Sequence, residues 1–382
     1  MAPGPARIIG VDLARMLALL GMITAHLVDT YRPDGSVTVW HQIVSGRSAA
    51  LFAVLAGLSI ALVTRRAVDP QRVWGLRAQV AVRALVIACL GLALGMFDSG
   101  LAVILTYYGV LFLGALPVLR WGARRLALLA IGWGLASPVA SMLLRPHLPP
   151  NSYDVPDPLS VFSPWQLVTE LTVTGYYPVL TWATYLFAGM AIGRLDLRSA
   201  AWGRRLLVWG AWGSVLALAV ARLVTRPDGV RTALVDSYDR WERVTDWADL
   251  QEVLRNGLYG TTPTGSWWWL GVWSPHSGSI VDLAHTVGTS MLVLGLALVL
   301  AHETGPRAAG TWRILSGAGT MTLTLYAVHV MVVSAPDSWP GAHNLLVHLV
   351  GAVLIGATFA ALRRRGPLEQ VVGQLSTSVG HR

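Results

Sequence analysis

About ten apolar stretches of some twenty residues each, long enough to cross a bilayer core of about 30 Å as a helix, constrain this chain more than any other feature. They lie near residues 8–28, 43–64, 78–97, 101–119, 126–144, 178–195, 206–224, 279–302, 314–334 and 344–362. Only 13% of the 382 residues are charged, against about 25% in soluble domains, and mean hydropathy is +0.55. The expected fold class is therefore an all-α, polytopic integral membrane protein, one transmembrane domain over residues 1–382. The first apolar stretch carries Asp12 and Arg15 and is followed by further spans, so it reads as a retained helix and not a cleaved signal.

Arginine placement orients the bundle. Arg65, Arg66, Arg72 and Arg77, then Arg120, Arg124 and Arg125, then Arg194, Arg198, Arg204 and Arg205, then Arg307 and Arg313, and last Arg363, Arg364 and Arg365 follow every second span. By the positive-inside rule both termini are expected in the cytoplasm, and the localisation is a multi-pass cell membrane protein surrounded by lipid. The net charge of +9 comes from these short basic loops, so it is no sign of nucleic-acid binding. Cys89 is the single cysteine, which excludes a disulfide framework within the chain. Two outer loops are long: residues 145–177, rich in proline, and residues 225–278, which mix charges and end in WWWLGVW. Trp241 and Trp247 are placed on the edge of a surface helix there, and the tryptophan run on an interfacial belt. The loops read either as a packed lid or as a device for substrate selection. No internal repeat is evident, and a homodimer is left open.

Ionisable residues inside spans cost roughly 2.5–3.5 kcal/mol each at mid-bilayer, so they mark partners or sites. Sorted by depth, Asp12, Arg15 and Arg83 fall near the cytoplasmic side; His26, His41, Arg47, Asp282, His285, Tyr326 and His329 fall near the outer side. Guanidinium forks match phosphate oxygens, so the inner group suits an anionic cofactor. Imidazoles titrate near neutrality, so the outer group suits proton transfer or nucleophilic work. Each has a structural alternative. Asp12–Arg15 is also an i,i+3 pair that would orient the first helix, His26 is placed to bond a loop carbonyl, and Arg47 to neutralise Asp98 or Asp282. Thr322, Tyr326 and His329 share one helix face, which serves helix packing equally well. His302, His343 and His348 lie at span ends and read as background. The histidines lack the H-E-x-x-H spacing, so no metal is expected, and GAG at 317–319 has no preceding strand that would make it a dinucleotide fingerprint.

GVDLARMLALLGMITAH, WHQIVSGRSAALFAVLAGLSIAL and GAGTMTLTLYAVHV resemble the catalytic domain of the heparan-alpha-glucosaminide N-acetyltransferase family and its bacterial YeiB-like relatives. The first helix matches a D-x-x-R-G pattern with Met16 in place of the glycine. The second matches LF-x-x-L-x-G at Leu51, Phe52, Leu55 and Gly57, and the ninth ends in Y-x-x-H at Tyr326 and His329. SPHSGS at 274–279 and RRRGPLEQ at 363–370 are similar to bacterial members. The resemblance implies a membrane-embedded acyltransferase that carries acetyl from cytoplasmic acetyl-CoA, or another acyl-CoA, to a sugar or glycolipid acceptor outside. It implies a catalytic histidine shortly before the second helix, which by position is His41, and His26 stands where animal members have asparagine.

On that reading Arg15 and Arg83, with Asp12, hold the acyl-CoA. His41 is general base or acyl carrier, and Arg47 steadies the oxyanion. His26, His285 and His329 orient His41 or hold the acceptor, and Tyr326 and Asp282 contact the acceptor. A transporter or flippase of an envelope precursor, and a non-catalytic envelope partner, are the alternatives carried forward.

Overall fold

The computed structural model describes residues 7–64, 70–336, 338–339 and 341–379. Arg65 and Arg66, and the side chains of Arg72 and Arg307, lie outside what is described. Sixteen α-helices run through the described residues: α1 Ile9–Leu27, α2 Val39–Val44, α3 Arg47–Thr64, α4 Pro70–Leu94, α5 Leu105–Ala115, α6 Ala123–Leu144, α7 Pro164–Thr169, α8 Val179–Gly193, α9 Ala200–Val224, α10 Asp228–Asp236, α11 Trp247–Asn256, α12 Ile280–Glu303, α13 Gly305–Leu315, α14 Thr322–Val333, α15 Leu345–Ala361 and α16 Pro367–Val379. One isolated bridge, Tyr31 with Val37, is the only β pairing among them. The chain is thus an all-α, polytopic membrane protein. Helices cover most of each expected apolar stretch, although 101–119 is helical only from Leu105 and 43–64 is interrupted between α2 and α3. Six helices are long and apolar enough to cross a membrane, seven if the bent pair Ala308–Thr320 and Thr322–Val333 counts as one, and Leu105–Val118, Val179–Gly193 and Leu345–Ala361 are shorter.

The contacts sort helix ends into two groups. At one end Arg194 donates to the carbonyls of Ala61 (2.8 Å) and Trp121 (3.2 Å) and to Thr64 Oγ1 (3.1 Å), and Arg204 pairs with Glu303 at 2.6 Å. This is the basic end. At the other, Gly46 meets His276 and Arg145 meets Thr262, and both long loops gather there. Alternating helix directions follow, because hairpin-like connections return each span to the opposite end.

The centre of the bundle is α8, buried from Thr181 to Gly193 and flanked by α3 and α6. In a bilayer the driving force between helices is close packing, and small residues let backbones approach. A Cβ on Gly57 would lie 2.1 Å from the Leu186 carbonyl oxygen, and one on Gly189 only 1.9 Å from that of Val54. So α3 and α8 touch backbone to backbone. The outward faces of α4, α6 and α9 expose Leu85, Leu128, Ile131, Trp212 and Leu216, as lipid-facing surfaces do.

The stretch expected as one span at 314–334 is broken. A 3₁₀ segment, Ser316–Thr320, separates α13 from α14 with a 54° bend. It is buried, and a Cβ on Gly319 would fall 1.8 Å from the Asp12 carbonyl oxygen. Irregular backbone at this depth is tolerated because protein covers it on both sides. The freed amides at the start of α14 are met by Glu369 of α16, which accepts from Leu323 (2.7 Å) and Thr324 (3.2 Å). The GAG segment is therefore a crossing point of chain segments.

The two long loops form one lid. Arg145 bonds Thr262, and Arg240 bonds the carbonyl of Leu258 at 2.9 Å and Thr261 Oγ1 at 3.0 Å. Beneath them Met142, Val230, Leu234, Leu250 and Trp269 make a second small core. The surface helix expected around 236–257 is confined to α11, with Trp247 at its start. The tryptophan run divides: Trp267 and Trp268 are exposed, whereas Trp269 is fully buried and donates to Ser237 Oγ at 2.9 Å.

Gly189→Ala is expected to lower the thermal midpoint in detergent, at a cost of about 1–3 kcal/mol for overpacking. Gly213→Ala on α9, where nothing lies within 4 Å of the added Cβ, should leave it equal or raise it. Parallel melts of the two variants check this, and an unchanged Gly189→Ala midpoint would refute the backbone contact.

Candidate functional site

The short helix α2 exists because Thr38 caps it and a glycine ends it. Thr38 Oγ1 accepts from the His41 amide at 3.3 Å, satisfying a first-turn donor. Gly46, at φ +72°, then turns the chain into α3 and aims its own N–H at His276 Nε2, 3.1 Å away. A Cβ there would stand 3.3 Å from the His276 amide nitrogen and from Pro275 Cα. His41 Nε2 lies 3.2 Å from the Asn256 carbonyl oxygen. A carbonyl oxygen only accepts, so Nε2 carries the proton and Nδ1 of the neutral ring holds a lone pair. That Nδ1 is buried and has no hydrogen-bond partner among the described residues.

His276 sits on the link 272–279 before α12, with φ +55°, a left-handed conformation uncommon for a side-chain-bearing residue. Its surroundings hold it there. Gly260 N–H donates to the His276 carbonyl at 2.6 Å, Leu258 N–H to that of Pro275 at 2.9 Å, and Gly278 N–H to Asp282 Oδ2 at 3.1 Å. Because Nε2 accepts from Gly46, the neutral ring carries its proton on Nδ1, which is also buried and unpartnered. Burial first, then the neighbouring His41 and His26, pull the His276 pKa down to about 3, so the ring is neutral at physiological pH. Tyr176, Tyr177 and Trp182 surround it at ring separations of 4.9, 5.7 and 6.4 Å. The two imidazoles thus offer complementary free atoms, a lone pair on His41 and an N–H on His276.

The other expected outer residues divide into two sets. His26 Nδ1 lies 3.0 Å from His329 Nε2, and His329 Nδ1 lies 2.9 Å from His348 Nδ1. His348, read from sequence as background, is therefore part of the cluster. His285 accepts from Arg47 Nε at 3.0 Å and donates through Nδ1 to the Ser214 carbonyl at 3.1 Å, so neither ring nitrogen is left for chemistry. Arg47 also donates to the carbonyls of Gln42 and Ile43 at the end of α2 and stacks over Trp273. It makes no direct pair with Asp98 or Asp282; its place is to hold α2. Asp282 is buried and supports the loop bearing His276 through Gly278, with Oδ1 unpartnered. Tyr326 accepts from the Ile104 amide at 3.3 Å, joining α14 to α5.

At the basic end Arg15 pairs with Asp12 at 3.3 Å and donates to Ser59 Oγ at 2.5 Å. The i,i+3 pair is present, and the guanidinium is also tied to α3. Arg83 reaches the protein surface on α4, forms no hydrogen bond or ion pair with another described residue, and feels the charges of Arg15 and Glu369. It is an accessible cation beside a second one, which suits a polyanion.

Between the lid and the bundle lies a cavity of about 1030 Å³, lined by Tyr176, Tyr153, Trp241, Tyr259, Asp98 and Asp157 among others. Tyr176, which lines it, also packs against the His276 ring at 4.9 Å. Sequence reasoning overlooked His276 because it stands outside every apolar stretch. Its one signal was a histidine inside the cap-rich SPHSGS segment.

The family model for heparan-alpha-glucosaminide N-acetyltransferase, catalytic, matches residues 7–222, more than half of the chain, and includes Asp12, Arg15, His26, His41, Arg47 and Arg83. His276, His329 and His348 lie beyond the matched residues. Comparison with curated proteins gives no match. On the strength of the matched half, which spans α1 to α9 and carries the D-x-x-R helix together with His41, the chain belongs to the heparan-alpha-glucosaminide N-acetyltransferase catalytic family of membrane N-acetyltransferases.

Proposed function

We propose that this protein moves an acetyl group from acyl-CoA, bound from the cytoplasmic side at the basic end, to an amino sugar or glycolipid acceptor on the lid side. The observation that carries the reading is the unpartnered Nδ1 of His41, a buried lone pair oriented by the Asn256 carbonyl. A group so placed takes a proton from an acceptor amine or hydroxyl as general base. The acceptor nitrogen then forms a bond to the acyl carbon, and the carbon–sulfur bond breaks with its electron pair passing to the CoA sulfur.

Negative charge develops on the acyl oxygen in that step. His276 Nδ1–H is a buried, neutral donor fixed by Gly46, the kind of preorganised dipole that stabilises an oxyanion. This duty passes to His276 from Arg47, whose nitrogens face His285 and α2. The fit of acyl-CoA to the basic end rests on Arg83, a surface cation with no partner among the described residues, with Arg15 held by Asp12 and Ser59. Arg15 and His26 are eleven residues apart on α1, about 16 Å along a helix, so a donor anchored at Arg15 by its phosphates needs a flexible arm to bring the thioester to His41. The lid cavity suits the acceptor. Aromatic faces of Tyr153, Trp241 and Tyr259 pack on a sugar ring, and Asp98 and Asp157 favour an ammonium group.

Full-length protein in lipid, given acetyl-CoA and glucosamine, is expected to release CoA and form the amide. His41→Ala should lower kcat by about a hundredfold or more with little change in the KM for acetyl-CoA. Turnover equal to wild type would end the assignment of His41, and no CoA release by wild type with any amino sugar or glycolipid would end the reading. Arg83→Gln should instead raise the KM for acetyl-CoA about tenfold and leave kcat near wild type; an unchanged KM places the phosphates elsewhere. His276→Asn should lower kcat about a hundredfold. Because His276 stays neutral down to about pH 3, the acid limb of the kcat profile between pH 5 and 8 should keep its midpoint in this variant. A displaced limb would show that His276 titrates during turnover.

A further inference from the structure

Beyond the reacting pair, three histidines from α1, α14 and α15 form a continuous line whose proton positions the geometry fixes. His348 Nε2 lies 2.8 Å from the Ala342 carbonyl oxygen, so Nε2 bears the proton and Nδ1 accepts. The donor to that Nδ1, at 2.9 Å, is then His329 Nδ1–H, which leaves His329 Nε2 as an acceptor. His26 Nδ1–H donates to it at 3.0 Å. One free lone pair remains, on His26 Nε2. The rings of His26 and His329 are nearly coplanar, 10° apart with centroids at 5.2 Å, and those of His329 and His348 are perpendicular at 4.8 Å. Each separation is that of rings meeting edge to edge through the N–H···N bond. Among the described residues no carboxylate bonds any of the three. The titratable groups around them are His276 on the site side, which also feels His41, Tyr326 one turn earlier on α14 with its oxygen on the Ile104 amide, and exposed Asp29 beyond His26.

We propose that His26, His329 and His348 are a proton reservoir for the transfer reaction. The inference rests on the acyltransferase reading and adds where the acceptor's proton goes. His41 Nδ1 takes one proton from the acceptor, and the imidazolium so formed would lie in buried surroundings next to His276, which feels both His41 and His26. A water between the His41 and His26 rings carries the His41 Nδ1–H to His26 Nε2, the His26 Nδ1–H passes to His329 Nε2, and the His329 Nδ1–H passes to His348 Nδ1. The charge comes to rest on His348, whose Nε2–H already points at the Ala342 carbonyl, two rings away from the reacting atoms. The CoA thiolate takes its proton from water at the basic end. When product leaves, the hops reverse, His26 gives the proton to water through Nε2, and every tautomer is restored. His329 and His348 act through His26 and are positioning residues.

The test uses the full chain in lipid nanodiscs with ¹⁵N-labelled histidine rings. The expected spectrum has protons on His26 Nδ1, His329 Nδ1 and His348 Nε2, two resolved N–H···N couplings, and uptake of a single proton by the three rings as one unit on acidification. Opposite tautomers, or three independent titrations, would overturn the proposal whether or not the protein turns over. In the second arm, His329→Gln and His348→Gln are assayed with acetyl-CoA and glucosamine in H₂O and D₂O. A kcat about tenfold lower, an unchanged KM for acetyl-CoA and an altered solvent isotope effect support the reservoir. Wild-type kcat and isotope effect in both variants overturn it. Failure of wild type to release CoA, with the expected ring spectrum intact, counts against the acyltransferase reading and not against the hydrogen-bonded line of rings.

Discussion

A polar group inside a helical bundle in lipid has no water to fall back on, so it must be satisfied by another part of the chain. That constraint organises this structure. The freed amides of α14 go to Glu369, the Arg194 guanidinium goes to the carbonyls of Ala61 and Trp121, and His285 is bonded through both nitrogens. Against this background the buried ring nitrogens of His41 and His276 without a partner stand out. Leaving such groups unsatisfied costs about 1–3 kcal/mol each, so their persistence argues for a ligand that completes them. The positive φ of His276 points the same way, since strain of this kind is retained where surrounding bonds enforce it.

Much of the fold was legible because lipid imposes simple rules. Apolar length located the long helices, six or seven of which are long and apolar enough to cross a membrane, and the Arg194 and Arg204 contacts gather at one end of the bundle. Helix breaks were harder to read. Ser316–Thr320 lies within an apolar run, and only its glycines hinted that the backbone crosses Asp12 and Gly356 there. The short lengths of α5, α8 and α15 were equally hidden, because a central helix such as α8 is buried by neighbours and needs no lipid-spanning length of its own.

The site was legible by depth but not by connectivity. Sorting ionisable residues by their distance from span ends placed His26, His41, His285 and His329 at one level, and they do gather at the lid end. It could not tell that His285 and Arg47 serve each other, since bonds 238 residues apart leave no local pattern. His348 was set aside for lying in the first turn of its span, yet that position puts it level with His329 near the end of α14. His276 required the lid. Its ring is placed by Gly46, Gly260 and Asp282, from segments that become neighbours only once the 225–278 loop folds over α2 and α8.

Helix α1 connects these layers. Its lower end carries Asp12 and Arg15 against α3 and the buried crossing at Gly319, and its upper end carries His26 against α14. A rigid helix fixes the separation between a polyanion site and an imidazole site, which no arrangement of loops would do as firmly. Met16, standing where the family pattern has glycine, fits this role. Its amide nitrogen lies within 3.0 Å of where a Cβ on Gly319 would stand, so the closeness of the crossing depends on the absence of a side chain from the 316–320 segment and not from α1. The glycine that this crossing needs is Gly319 in the 3₁₀ segment, and α1 accommodates Met16 beside it.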